Sequence, residues 1–260
     1  IAKKKLPLEH IRKFPQLRIK TKTISAISRI RHCCSIATHT FFSSRDFKYI
    51  HTPILTSNDC EGAGETFKLK DSSFFDKPVN LTVSGQLHGE TMACGLGDIY
   101  TFGPTFRAEQ SHSTRHLSEF WMIEPEMCFI NLHDLMNIAE DYIKYCLNAC
   151  LTECNDEILF FTKHYKSSLY EDLKIMVIKP FERMTYREVI DSINKDIKEG
   201  KAIIKQPECT SKTFKKLAKG KHVFEGPLNT PDNLLPDNYD LDSEHEKYIV
   251  NKSKGIVIVS

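Results

Sequence analysis

The sequence predicts an α+β fold, an antiparallel sheet flanked by helices. Three patterns carry that prediction. "DIYTFGPTFRAE" and "HLSEFWMIEPEMCF" both read as strands and are separated by the polar run "QSHSTR", which predicts an antiparallel hairpin. Residues 24–42, 132–154 and 185–200 repeat their apolar residues at helical spacing instead. Short apolar runs at "FKYIHTPIL" and "VNLTVSG" supply further strands ahead of the hairpin.

Taken in order, Ile24, Ile27, Ile30, Cys34, Thr38 and Phe41 form the apolar stripe of the first long helix. "FKYIHTPIL" follows as a strand. Pro53 lies inside it and lacks a donor N–H, so it marks an edge, a strand end or an interface. "NDCEGAGETF" is a glycine-containing loop. "VNLTVSG" is a strand with Leu81 and Val83 on one face. After the hairpin, residues 132–154 make an amphipathic helix with Leu135, Met136, Ala139 and Ile143 on its apolar side. Thr185 and Glu188 have capping-box spacing and open a helix whose inward residues are Val189, Ile190, Ile193 and Ile197, with Gly200 as its stop. Residues 209–238 lack periodicity and read as an insertion. Ile256–Val259 reads as a buried strand. Nothing follows it and residue 1 is Ile, so both ends are expected to be cuts through a larger protein.

Composition narrows the function classes. Hydrophobic residues make up 40% of 260, enough for a globular core. No apolar run approaches the ~20 residues of a membrane span, and "IAKKKLPLEHIRKF" has no signal-peptide apolar region. The nine cysteines include no C-x-x-C pair. Cys146, Cys150 and Cys154 follow one another at every fourth residue, a spacing read here as core packing rather than metal ligation. Reduced thiols in a reducing compartment fit best. Net charge is only +2, but residues 1–31 hold ten lysines and arginines against the single acid Glu9. Such a basic segment can serve a polyanion. The seven lysines of residues 201–221 read as a solvated face. The acidic run "DNYDLDSEHE" reads as the charged start of a helix rather than a metal site.

"FRAEQSHSTRHLSEFWMIEPE", residues 106–126, interleaves two arginines, two histidines and four glutamates with large apolar side chains. Strand alternation puts Arg107 and Glu109 on one face, and Glu124 and Glu126 on a face with Phe120, His116 and Met122. Guanidinium, carboxylates and ring together suit a nucleotide and an amino acid bound side by side. The competing reading is a network of cross-strand ion pairs, such as Arg107 with Glu124. Phe120 and Trp121 face opposite ways, so at least one is expected to be core.

"GPTFRAEQSHSTRHLSEFWMIEPE" resembles motif 2 of the class II aminoacyl-tRNA synthetases, in their aspartyl/asparaginyl branch. "FFSSRDFKYIHTPIL" is similar to the end of motif 1, "TSNDCEGAGETF" to the mobile loop that closes over the amino acid, and "LTVSGQLHGE" to the amino-acid-binding strand. The resemblance runs from about Leu8 to Phe129 and resumes in "DLDSEHEKYIV". It implies a basic linker at 1–22 after an anticodon-binding domain, and a partial catalytic domain at 23–260 with motif 3 lying further on. It implies that Arg107 bridges the substrate carboxylate and the ATP α-phosphate as the catalytic residue. Glu109 would contact the adenine end, with Arg115, His116 and Leu117 completing the ATP site and Phe120 stacking under the adenine. Glu61, Ser84, Gln86, Glu90 and Glu124 would bind the amino acid, and Pro53 would lie in a homodimer interface. Aspartyl members usually carry a lysine where this chain has Gly89, which points to asparagine as substrate. ATP, Mg²⁺ with its ligands beyond residue 260, and tRNA(Asn) are the implied cofactors and partners, with no membrane. The implied compartment is the cytoplasm, with mitochondrion or plastid as alternatives. A non-catalytic paralogue that binds nucleotide, tRNA or a synthetase partner, and an aspartyl-type relative, are the competing functions.

Overall fold

The computed structural model of the chain describes residues 7–58, 60, 66–70, 73–109, 116–201, 234–237 and 239–260. Two compact units divide it at Ile158 and Leu159.

In the first unit, two short helices, α1 (Leu8–Arg12) and α2 (Pro15–Arg18), bury none of their residues. They precede α3 (Lys22–Ser44), whose N-cap is Thr21 with its hydroxyl accepting from Ile24 N at 3.4 Å. The buried face of α3 is Ala26, Cys33, Ala37, Thr38, Phe41 and Phe42. Thr38 and Phe41 fall where the periodicity predicts, but Ile27 is exposed. The buried face includes the small residues Ala26, Cys33 and Ala37, and small side chains let a neighbouring helix approach closely, as one does at Cys33. That helix is α5 (Leu132–Glu153), opened by a capping box between Asn131 and Asp134. The two run antiparallel. Thr38 Oγ1 meets Tyr142 Oη at 2.9 Å, and Arg45 reaches Asp141 at 3.5 Å. Arg29 bonds Glu157 in α6 (Asn155–His164).

The central sheet has the order β1 (Lys48–Tyr49), β4 (Ile99–Phe106), β5 (Glu119–Glu126). β1 is parallel to β4, and β4 and β5 are the antiparallel pair expected from the sequence, in register from Ile99↔Glu126 to Phe106↔Glu119. "QSHSTR" lies outside the described residues. "FKYIHTPIL" is not one strand. It gives β1, then irregular backbone around Pro53, then β2 (Leu55–Thr56), which pairs with β3 (Asn80–Leu81). Val79 and Val83 are buried there, while Leu81 is half-buried.

A larger correction concerns "LTVSGQLHGE". Only its beginning is extended. From Gln86 to Leu96 it is a helix, α4, with Gly85 at the N-cap and Gly97 ending it at φ +80°. Gln, Leu, Glu, Met and Ala are good helix formers. Its buried residues are Gly89 and Ala93, and a Cβ at Gly89 would already be 3.2 Å from Glu126 Cγ and 3.3 Å from Ile99 Cδ1.

The second unit contains α7 (Leu169–Ile178), β6 (Glu182–Met184), α8 (Tyr186–Lys198), α9 (Ser243–Ser253) and β7 (Val257–Val259). The capping box of α8 is formed: Glu188 N donates to Thr185 Oγ1 at 3.2 Å and Thr185 N to Glu188 Oε2 at 2.7 Å. Val189, Ile190, Ile193 and Ile197 are buried with Leu235 and Ile249, as the helical spacing requires. Gly200 has φ +67°. Asp242 caps α9, accepting from Glu244 N at 2.9 Å, so the acidic run does open a helix. β7 is parallel to β6, but half-buried to exposed rather than buried. Apart from residues 234–237, the segment 209–238 lies outside the described residues.

Candidate active site

The hairpin register sorts its side chains. Tyr100, Phe102 and Ile123 turn to one side, where Phe41, Phe42, Phe47 and Tyr142 form an aromatic core; Phe42 stacks on Tyr100 with centroids 4.7 Å apart. The other side carries Thr101, Gly103, Thr105 and Arg107 from one strand and Phe120, Met122, Glu124 and Glu126 from the other. Arg107, Glu124 and Glu126 therefore share one face, and the core-facing Ile123 lies on the opposite one. Trp121 is 55% exposed and Phe120 half-buried, so neither is a core residue. Trp121 meets Phe102 edge-on at 5.4 Å.

Residues 82–85 cross this second face. Thr82 N donates to Ile54 O at 2.8 Å and Phe106 N to Thr82 O at 2.8 Å, which ties the segment to the sheet at both sides. Ser84 and Gly85 thereby reach Glu124. The Ser84 hydroxyl donates to Glu124 Oε1, Gly85 N lies 3.1 Å from Oε2 and 3.2 Å from Oε1, and Thr101 Oγ1 donates to Oε2 at 2.9 Å. Three donors hold one carboxylate that has about four acceptor positions. Gly85 must be small: a Cβ there would be 2.7 Å from Thr52 Oγ1 and 3.2 Å from both Glu124 Oε2 and Thr101 Oγ1. A hollow of about 200 Å³ opens beside this cradle, bordered by Tyr49, Thr52, Gly85, Thr101, Trp121 and Glu124.

Gln86 and Glu90 lie one turn apart on α4, both exposed, with Gln86 Nε2 donating to Glu90 Oε1 at 2.9 Å. Cys60 Sγ is 3.9 Å from Gln86 Oε1. Burial raises the Glu126 pKa above the ordinary carboxylate range, and the charges of Glu90 and Glu124 add to that. An acidic surround of this kind favours a bound ammonium group.

Arg107 begins where β4 ends, its N–H donating to Ser118 O at 3.1 Å. Its guanidinium lies 5.6 Å from the Phe120 ring centroid and 3.9 Å from Met122 Sδ. The Arg107–Glu124 ion pair of the competing reading is not the arrangement. Arg107 is level with Ser118 across the hairpin, six residues from Glu124, or about 20 Å at the strand rise. Beyond Arg107, His116 Nε2 is 3.9 Å from Glu109 Oε2, and Leu117 is 68% exposed. Glu61 and Arg115 lie outside the described residues. Among the described residues, no three His, Cys, Asp or Glu are grouped as a metal would require. No helix there is long and apolar enough to cross a membrane.

The family model of the tRNA synthetases class II (D, K and N) matches residues 8–259. The chain belongs to that family. Among curated class II relatives, it is 39% identical to the asparagine–tRNA ligase of Protochlamydia amoebophila, over all of this chain and 52% of that protein. It is 41% identical to that of Porphyromonas gingivalis, over 96% of this chain and 51% of that protein. It thus spans about half the length of the curated relatives it matches. Among solved class II structures, asparaginyl-tRNA synthetase from Pyrococcus horikoshii complexed with asparaginyl-adenylate superposes with a TM-score of 0.72 at 26% identity. That match covers 98% of this chain and 48% of that one.

Thr101, Thr52 and Gly85 are residues of the candidate site that the sequence does not single out. Thr101 is found only through the register that sets it opposite Glu124. Thr52 is found through its distance to Gly85 and its place beside the hollow.

Proposed function

We propose that this chain is part of an asparagine–tRNA ligase, and that the β4–β5 face with residues 82–90 binds asparagine beside ATP. The observation that carries the reading is the cradle at Glu124. A fixed carboxylate, held by Ser84, Gly85 and Thr101, borders a hollow next to further acids at Glu90 and Glu126. Such a surround suits a small ligand with an ammonium group and amide donors. The names of the relatives point the same way.

In this reading Arg107 and Phe120 take the nucleotide end. Arg107 would neutralise the α-phosphate as the asparagine carboxylate attacks it, and Phe120 would stack on the adenine. Glu109, Arg115, His116 and Leu117 would complete the ATP site. Ser84, Gln86, Glu90 and Glu124 would bind the amino acid, with Glu61 closing over it. Catalysis is then positioning and charge stabilisation, with no covalent enzyme intermediate. Magnesium would supply charge neutralisation on the phosphates, through ligands outside the described residues. The asparaginyl group would then pass from the adenylate to a terminal hydroxyl of tRNA(Asn), with AMP as the leaving group, in a homodimer with Pro53 at its interface. Support for asparagine over aspartate comes from Gly89, where the resemblance puts a lysine in aspartyl members. A side chain at 89 would meet Glu126 and Ile99 at its first carbon.

The test is Arg107→Ala in the protein at the length of its relatives. Asparagine-dependent exchange of pyrophosphate into ATP is expected to fall by about 100-fold or more, the scale for losing one electrostatic stabiliser. Exchange at wild-type rate overturns the assignment of Arg107.

A further inference from the structure

Outside the site, the α3–α5 seam carries a cluster of thiols. Cys33, Cys150 and Cys154 are buried together, and Cys34 is half-buried against them. Cys34 Sγ and Cys150 Sγ are 3.4 Å apart. Their helices are fastened on one side of this contact by Thr38 with Tyr142, and on the other side α3 is tied by Arg29 to Glu157 of α6, the helix that follows α5. The two sulfurs therefore meet in a fixed seam.

We propose that Cys34 and Cys150 are a peroxide-oxidisable thiol pair that closes into a disulfide joining α3 to α5. Closing the bond brings the sulfurs about 1.4 Å nearer than their present 3.4 Å, a distance within reach of side-chain rotation. The roles of the two sulfurs differ. The Cys150 thiol hydrogen-bonds Cys34 and favours its thiolate, while the same contact and burial push the Cys150 thiol up. Burial pushes the Cys33 thiol up to about 12, and the Cys154 thiol is also raised. Cys34 is half-buried where Cys150 is buried, so Cys34 is the sulfur open to peroxide and the nucleophile, and Cys150 is the resolving thiol.

The chemistry balances with hydrogen peroxide as oxidant. The Cys34 thiolate attacks one peroxide oxygen, the O–O bond breaks, and the departing hydroxide is protonated to water. The Cys150 sulfur then attacks the Cys34 sulfenic sulfur. The S–O bond breaks, and the hydroxyl leaves as water with the Cys150 proton. Two thiols are oxidised, one peroxide is reduced, and two waters form. The loop closed from residue 34 to residue 150 contains β1 to β5 and α4, so the whole candidate site lies within it.

The experiment is non-reducing peptide mapping of the reduced chain after treatment with hydrogen peroxide. The expected product is a Cys34–Cys150 crosslinked peptide with the mass of two hydrogens lost, reversed by dithiothreitol. The melting midpoint of the oxidised chain is expected to rise, because the crosslink restricts the unfolded state. Cys33→Ser is expected to retain the crosslink and Cys34→Ser to lose it. A crosslink joining Cys33 to Cys154 overturns the proposal, as does sulfinic acid at Cys34 with no crosslink. The mapping on the unsubstituted chain decides this even if a variant fails to fold.

Discussion

Gly85→Ala is the substitution that most sharply tests the cradle. The backbone at Gly85 has φ −85° and ψ −3°, which any residue adopts, so the change introduces no backbone strain. Judged by the chain alone, the substitution is stabilising by about 0.4–1 kcal/mol, because alanine has less freedom to lose on folding. The surroundings reverse the sign. The new Cβ falls 2.7 Å from Thr52 Oγ1 and 3.2 Å from Glu124 Oε2 and Thr101 Oγ1. Thr52 can turn away, but Glu124 is held by three donors and Thr101 is itself one of them. Overpacking of this kind costs about 1–3 kcal/mol. The net expectation is a loss of about 1 kcal/mol, with a range of roughly 0–2.6 from those two terms. Trp121 is the chain's single tryptophan and lies on β5, so its fluorescence during urea unfolding reads the hairpin directly. A Gly85→Ala chain with a midpoint above wild type means that the cradle has slack, and the steric argument fails.

Two further predictions concern the second unit. Ile193 is fully buried in the α8 core, and Ile193→Ala is expected to cost about 2–5 kcal/mol in urea unfolding followed by circular dichroism. A cost below that range would mean that the α8 core can collapse around the lost side chain. Asp196 is buried on α8, bonded by Lys252 and by Tyr248 Oη at 2.9 Å, and the Lys252 contact first of all depresses its pKa. Because the unfolded carboxyl binds protons more readily, Asp196 adds stability above about pH 4, lost as pH falls through its folded pKa. Asp196→Asn is expected to lower the urea midpoint at pH 7 and to differ less from wild type at pH 3. An equal difference at both pH values contradicts that assignment.

Sequence and structure agree where local signals and burial point the same way. The α8 spacing of Val189, Ile190, Ile193 and Ile197 and the box at Thr185 and Glu188 are complete in the sequence, and all are present in the fold. The hairpin and the alternation within each strand are equally legible, while the register is what puts Arg107 on the face of Phe120 and Glu124. The helix at 86–96 is not legible from the resemblance to a binding strand, because the strand ends at Leu81 and the helix starts only five residues later. The α3 face is shifted because it buries Ala26 and Ala37, small residues that periodicity scores weakly. The partners of Glu124 come from Thr101 and from residues 84–85, segments whose proximity depends on register and on the bonds at Thr82. Those are long-range facts that no local pattern contains.

The central claim is that the cradle at Glu124 takes asparagine for activation by ATP. Amino-acid-dependent pyrophosphate exchange, run on the protein at the length of its relatives with asparagine, aspartate and lysine in parallel, tests it most directly. Exchange with asparagine and not with the other two is the predicted result. Exchange driven by aspartate or lysine, or by none of the three, contradicts it.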